Sequence, residues 1–140
     1  MTDLKLVEPK GRSSDSEKIT INLGFVDLGQ IDLLVQEGFY SNRSDFIRTA
    51  IRNQLQAHAE VVKQAVVRKS MVLGLRHYTR ADLEAAQAAG ERLQIHVLGL
   101  ATVAPDVSAA LARDTIDSVQ VLGVFQASAE IKAALADRMR

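Results

Sequence analysis

The sequence predicts an α+β protein made of two unlike parts, and three observations carry that reading. Between Lys18 and Leu23, apolar Ile19, Ile21 and Leu23 alternate with polar Lys18, Thr20 and Asn22, the period of a half-buried strand. From Val26 to Leu55 the apolar spacing becomes that of two amphipathic helices. From Val72 onward a Val-Leu-Gly stretch recurs at 72, 97 and 121, at spacings of 25 and 24. The expected architecture is one strand and two helices in an obligate dimer, followed by a small α/β module of about three strand-helix repeats. Its expected divisions are a flexible arm over 1–16, a head over 17–55, a helical connector over 56–70 and the repeat module over 71–140.

The arm holds Pro9, Gly11 and a Ser-Ser-Asp-Ser cluster without periodicity, as expected of a flexible segment. Its Lys5, Lys10 and Arg12 read as part of a plain tail. The strand that follows cannot satisfy its own backbone, and a segment this short buries too little core alone. A two-fold partner whose identical strand pairs antiparallel answers both needs. Such a ribbon presents Lys18, Thr20 and Asn22 on its open face and fits the major groove of double-stranded DNA.

In the first helix, Val26, Leu28, Ile31, Leu34 and Val35 form one apolar stripe. Asp27 suits the positive end of the helix dipole, and Gly38 supplies the stop. Asn42 then stands three residues before Asp45 in a capping-box arrangement. The second helix is expected to pack Phe46, Ile47, Ala50, Ile51 and Leu55 inward, with Arg48 and Arg52 on a solvated face. No Gly or Pro occurs between Gly38 and Gly74, so the helix is expected to run on to about Lys69. Leu55, Ala59, Val62 and Val66 would form a narrow seam for a neighbouring helix.

Strand, helix, Gly turn and capped helix in this order resemble the ribbon-helix-helix family of bacterial, archaeal and phage repressors, to which strand readers of the Arc and MetJ type belong. The matching residues are Lys18–Leu23, about Val26–Glu37, Gly38-Phe39-Tyr40, and Ser41 through Arg48 opening the second helix. The resemblance implies a sequence-specific transcriptional regulator, a repressor that occludes promoters by reading operator DNA as a dimer. It implies base reading by Lys18, Thr20 and Asn22. It also implies a grip on phosphate by Ser41, Asn42, Arg43 and Ser44, where helix N–H groups suit an anion. It says nothing of residues 71–140. Two other readings use the same head: an antitoxin of a toxin–antitoxin pair, and a scaffold protein that only dimerises through it.

Composition narrows the field further. Of the 140 residues 47% are hydrophobic and 4% aromatic, without Trp, which speaks against an aromatic-lined pocket. There is no Cys, in keeping with a reducing cytoplasm. The opening Met-Thr-Asp-Leu-Lys lacks the apolar core of a signal peptide, and the longest uncharged run, Leu93 to Pro105, is too short to span a bilayer. A cytoplasmic protein without membrane contact is expected. Net charge is zero, and residues 1–70 carry ten basic and nine acidic side chains, so DNA contact must come from a few well-placed cations.

The last two repeats align without a gap, setting Val107 beside Ile131 and Ala109–Ala112 beside Ala133–Ala136. Each unit reads as strand, polar turn and helix, like a clipped solenoid. Val97, Leu98, Val121 and Leu122 are expected to pack between adjacent units, and the open ends of the stack favour an oligomer above the dimer. Asp106 and Glu130 read as equivalent helix-start acids. The glycines of the Val-Leu-Gly stretches lack the G-x-G-x-x-G spacing and fit close packing or a bulge within a strand. Nickel-responsive members of the family use a tight His cluster with a Cys. Here His58, His77 and His96 stand 19 residues apart and Cys is absent, so no metal and no cofactor is expected. No catalytic signature is present, and the chain is read as a non-enzyme.

Overall fold

The computed structural model describes residues 16–140. The expected arm, with Lys5, Lys10 and Arg12, otherwise lies outside the described residues. The chain divides into two compact units, the first ending at Gln54 and the second spanning Leu55–Arg140.

Residues 16–24 carry no regular secondary structure in the single chain, and every residue from Ser16 to Gly24 is exposed. The strand expected at Lys18–Leu23 is therefore not formed here. A lone strand has no neighbour for its N–H and C=O groups, so its ladder cannot exist without a second strand. Helix α1 follows at Phe25–Gln36. It ends where Phe39 N–H reaches the Leu34 carbonyl at 3.0 Å and Gly38 N–H reaches Val35 at 3.0 Å. These two bonds make a Schellman stop, and the φ of +89° at Gly38 is one that glycine adopts without strain. After the turn, the Tyr40 and Phe46 rings meet edge to face at 5.0 Å and tie the turn to helix α2, Arg43–Ala57.

The apolar stripes of this unit are largely uncovered. Ile31 alone of the described head residues is buried, while Val26 is 74% and Leu55 60% exposed. Ala50 and Ile51 are likewise exposed, and Phe46 and Ile47 are half-buried. The expected inward packing of Val26, Ala50, Ile51 and Leu55 is absent because two helices alone cannot cover both stripes.

The single long helix expected up to Lys69 is interrupted. At His58 the backbone N–H bonds to Leu55 rather than to the residue four back, and Val62 N–H restarts the pattern on the His58 carbonyl. Helix α3 then runs Ala59–Arg68. Of the expected seam, Val62 and Val66 are half-buried and Leu55 and Ala59 exposed.

Beyond this point the order is β1 (Val72–Tyr78), α4 (Arg80–Ala89), β2 (Leu93–Val103), α5 (Ala109–Thr115), β3 (Ile116–Gln126), α6 (Ala129–Ala134) and a 3-10 turn at Ala136–Arg138. The strands form one parallel sheet in the order β1-β2-β3. Val72, Val97 and Val121 stand side by side, as do Gly74, Gly99 and Gly123. Along the glycine row the backbones nearly touch. A Cβ on Gly99 would lie 2.2 Å from the Gly74 carbonyl oxygen, and one on Gly123 2.1 Å from that of Gly99. The φ values of 131°, 141° and 120° also belong to glycine.

The core is built from one face of the sheet and the three helices. Ile95, Val97, Ala101, Ile116 and Val119 pack with Leu83, Leu111, Ile131 and Leu135. Strand periodicity corrects the expected packing of Val97, Leu98, Val121 and Leu122 between units. Val97 lies in the core and Val121 packs against it, so Leu98 and Leu122, one residue on, face away. Burial follows the repeat, with Val107 and Ile131 buried, and Leu111 and Leu135 likewise. Helix starts do not. Ser108 caps α5 through Leu111 N–H and Ser128 caps α6 through Ile131 N–H, so the third helix begins a turn early relative to the strands. Asp106 consequently sits in a turn before α5, while Glu130 lies in the first turn of α6, and the two are not equivalent.

Side chains tie the last turn of the module back onto α5 and β3. Arg113 Nη1 donates to the Ala134 carbonyl at 2.6 Å and to Asp137 at 2.8 Å. Arg138 donates to the Ile116 carbonyl at 2.7 Å. At the outer edge of β3, Met139 bridges to Val119 and Arg140 N–H reaches the Val119 carbonyl at 2.8 Å.

Candidate nucleic-acid interface

Lys18, Thr20 and Asn22 are all exposed. They alternate with Ile19, Ile21 and Leu23, which are exposed too. Both rows of the segment thus meet solvent in the single chain. Pairing with a second strand would bury the apolar row and leave the polar row as an open face. Lys, Asn and Thr together supply donors for guanine, a bidentate partner for adenine and a methyl for thymine.

The second group gathers at the start of α2. Asp45 N–H donates to Asn42 Oδ1 at 2.8 Å, and Ser41 N–H donates to Asp45 Oδ2 at 2.9 Å. The Asn42 cap is in place, but Asp45 returns to Ser41 rather than to the cap residue itself. By position, Arg43 and Ser44 open the helix with N–H groups that no intrahelical carbonyl can reach.

Arg43 is held by a partner that sequence spacing did not reveal. Its Nε and Nη2 donate to the two oxygens of Asp32 at 2.8 Å each, a fork that clamps α2 to α1. The hydrogen bonds and the charge of Arg43 hold the Asp32 carboxyl below its ordinary value of 3.8. Asp32 in turn raises the guanidinium. A guanidinium has five N–H donors; Asp32 engages two and orients the rest. Arg43 is thereby a positioned group rather than a free one. Asp32 faces out of α1 eleven residues upstream, a separation that no local periodicity reports. Arg48 and Arg52 are exposed.

The histidines occupy unrelated settings. His77 hydrogen-bonds Thr102 across β1 and β2, and His96 Nε2 lies 3.0 Å from the buried Ser118 hydroxyl. His58 sits at the break between α2 and α3. No three potential metal ligands converge among the described residues, and none of the described helices is long and apolar enough to cross a membrane.

Comparison with curated proteins and with solved structures gives no match. A family model described as the ribbon-helix-helix transcriptional regulator family matches residues 14–132. That span takes in the head, the connector and most of the repeat module, well beyond the segment that carried the resemblance in the sequence. With the uncovered head, the capped second helix and a match across most of its length, the chain belongs to the ribbon-helix-helix transcriptional regulator family.

Proposed function

We propose that this protein is a cytoplasmic repressor that reads operator DNA with a dimeric β-ribbon in the major groove. Membership of a family of transcriptional regulators makes DNA binding and dimerisation the natural frame. The finer reading rests on one observation: a head with a single buried residue and two exposed rows at Lys18–Leu23. Antiparallel pairing with a second copy hides Ile19, Ile21 and Leu23 and turns Lys18, Thr20 and Asn22 toward the bases. Ser41, Asn42, Arg43 and Ser44 then meet the phosphates at the start of α2, with Arg43 aimed by Asp32. Residues 71–140 carry seven basic and eight acidic side chains, a balance that offers phosphate little attraction. They serve as an assembly module that joins copies of the chain above the dimer, outside base recognition.

Selection of bound sequences from a random duplex pool, run with the full chain and with one ending at Ser70, tests this. Both are expected to select the same pseudo-palindromic site, with tighter or cooperative binding by the full chain. Failure of both to enrich any sequence sinks the reading.

A further inference from the structure

The sheet of the repeat module is covered on one face only. Its helices and its core lie on the side of Ile95, Val97 and Ala101. On the other side run two aliphatic rows set by the strand register: Leu73, Leu98 and Leu122, then Leu75, Leu100 and Val124. None of the six belongs to the core or packs against it. Leu73 is 66%, Leu75 54% and Leu122 49% exposed. A purely parallel sheet is ordinarily covered on both faces, and here one face carries two uncovered aliphatic rows. By strand alternation, no Asp, Glu, Lys or Arg shares the paired part of this face; its flanks carry Gln, Ser, Thr and His. Its paired part therefore offers no charged side chain to a phosphate or to a charged peptide.

The geometry points to a second copy of this chain as the occupant, its bare sheet face packed on this one. Size selects that occupant. Three strands about 4.8 Å apart and seven paired positions at about 3.3 Å give a face of roughly 14 by 23 Å. That is roughly 300 Å², well under the ~800 Å² per partner of a standard interface. A freely diffusing protein would be held poorly by so small a patch. A copy kept close by other contacts meets it at high effective concentration, and the head supplies such contacts in a dimerising family. The rows are also self-complementary: an uncharged ladder of near-identical side chains suits an isologous two-fold contact. This rests on the assembly role given to residues 71–140, but it moves the contact from the ends of the stack, one of which Met139 and Arg140 already border, to the open face.

The chain has no Cys, so single cysteines in the full-length protein report the contact directly. Packed sheets lie about 10 Å apart, too far for a disulfide, so a bismaleimide with a spacer of about that length is the probe. Leu98→Cys on the middle strand is expected to cross-link into covalent dimers. Ala133→Cys, exposed on α6, is expected to do so roughly tenfold less. The double substitution Leu73→Lys/Leu122→Lys, at two largely solvated positions, is expected to abolish the Leu98→Cys cross-link while leaving the circular-dichroism spectrum unchanged. Equal cross-linking at both cysteines, or cross-linking indifferent to the two lysines, overturns the proposal. So does a cross-link that appears only once residues 1–15 are removed, since that segment is then the occupant. If species above the dimer form without a Leu98→Cys cross-link, the assembly reading stands and the face assignment falls. A cross-link in a plain dimer upholds the face and removes the higher assembly.

Discussion

The head and the repeat module solve the problem of burial in opposite ways. In the module, residues from three strands and three helices share one core, and Leu83, Ile95, Val97, Ile116 and Leu135 are fully enclosed. In the head, a strand-length segment and two helices of similar apolar content enclose Ile31 and little else. The difference is one of topology rather than hydrophobicity. Repeated strand-helix units stack on their neighbours along one chain, whereas one strand and two helices have no neighbour to stack on. A unit that buries so little by itself leaves its core for a second copy to complete, the dimerisation its family suggests, and in the proposed function that same contact makes the reading face.

The sharpest way to break this comparison is to damage the module where it is most tightly built. Gly99→Ala forces a Cβ against the Gly74 carbonyl oxygen at a φ of 141°, and is expected to destabilise the module by about 3 kcal/mol or more. Gly74→Ala meets no atom within 4 Å and should cost only about 1–2 kcal/mol of backbone strain. Thermal melts of the two variants measure the gap. Equal losses would mean that strain, not close approach, governs the glycine row.

On the head, Asn22→Ala is expected to cost roughly 1–3 kcal/mol at the cognate site and to relax base preference there. Titrations against the selected operator and single-base variants check it. Unchanged affinity and preference would mean that the polar row is not the reading face. A one-residue slip of the ribbon is no escape, because it turns Ile19, Ile21 and Leu23 outward.

Asn42→Ala removes the acceptor for Asp45 N–H and should lose about 1 kcal/mol of helix capping. It should weaken binding to all sequences alike, as expected of a backbone contact. A loss confined to one operator would shift Asn42 from the phosphates to the bases.

Acid produces the smallest change, and it strikes both regions in the same sense. Asp32 in the head and Asp137 in the module are both held below 3.8 by hydrogen bonds and charge from Arg43 and Arg113. A depressed carboxyl contributes stability above its unfolded value and loses it as pH falls through its folded one. Both pairs are exposed and screened, so little change is expected between pH 8 and pH 5, with the loss beginning below about 4. Asp32→Asn should flatten that acid limb for the head alone; a limb of the same depth in the variant would assign it to other groups.

Local features were legible in the sequence because they depend on neighbours along the chain. The period of two at Lys18–Leu23 separates polar from apolar residues whether or not a partner is present. The stop at Gly38 and the Asn42 cap follow from dihedral freedom and side-chain reach. The Thr79-Arg-Ala-Asp82 capping box that opens α4 is a signal of the same local kind, a Thr followed three residues later by an acid. The Val-Leu-Gly spacing correctly places Val72, Val97 and Val121 in line, because strands of one repeat pair at equivalent positions.

What the sequence by itself determined, then, is periodicity: which residues share a row, where the helices start and stop near the turn, and which strand positions are equivalent. Only the tertiary structure decided which of two apolar sheet faces the helices cover, since Val97 and Leu98 are equally greasy and differ only in parity. It also decided that Asp32 takes up Arg43, a pairing made by two helices folding against each other. It set the early start of α6 while keeping Ile131 and Leu135 buried, because packing fixes the inward residue and leaves the cap free to shift. And it left Lys18–Leu23 without a ladder, since a strand is defined by hydrogen bonds to a second backbone, which one chain of this head does not contain.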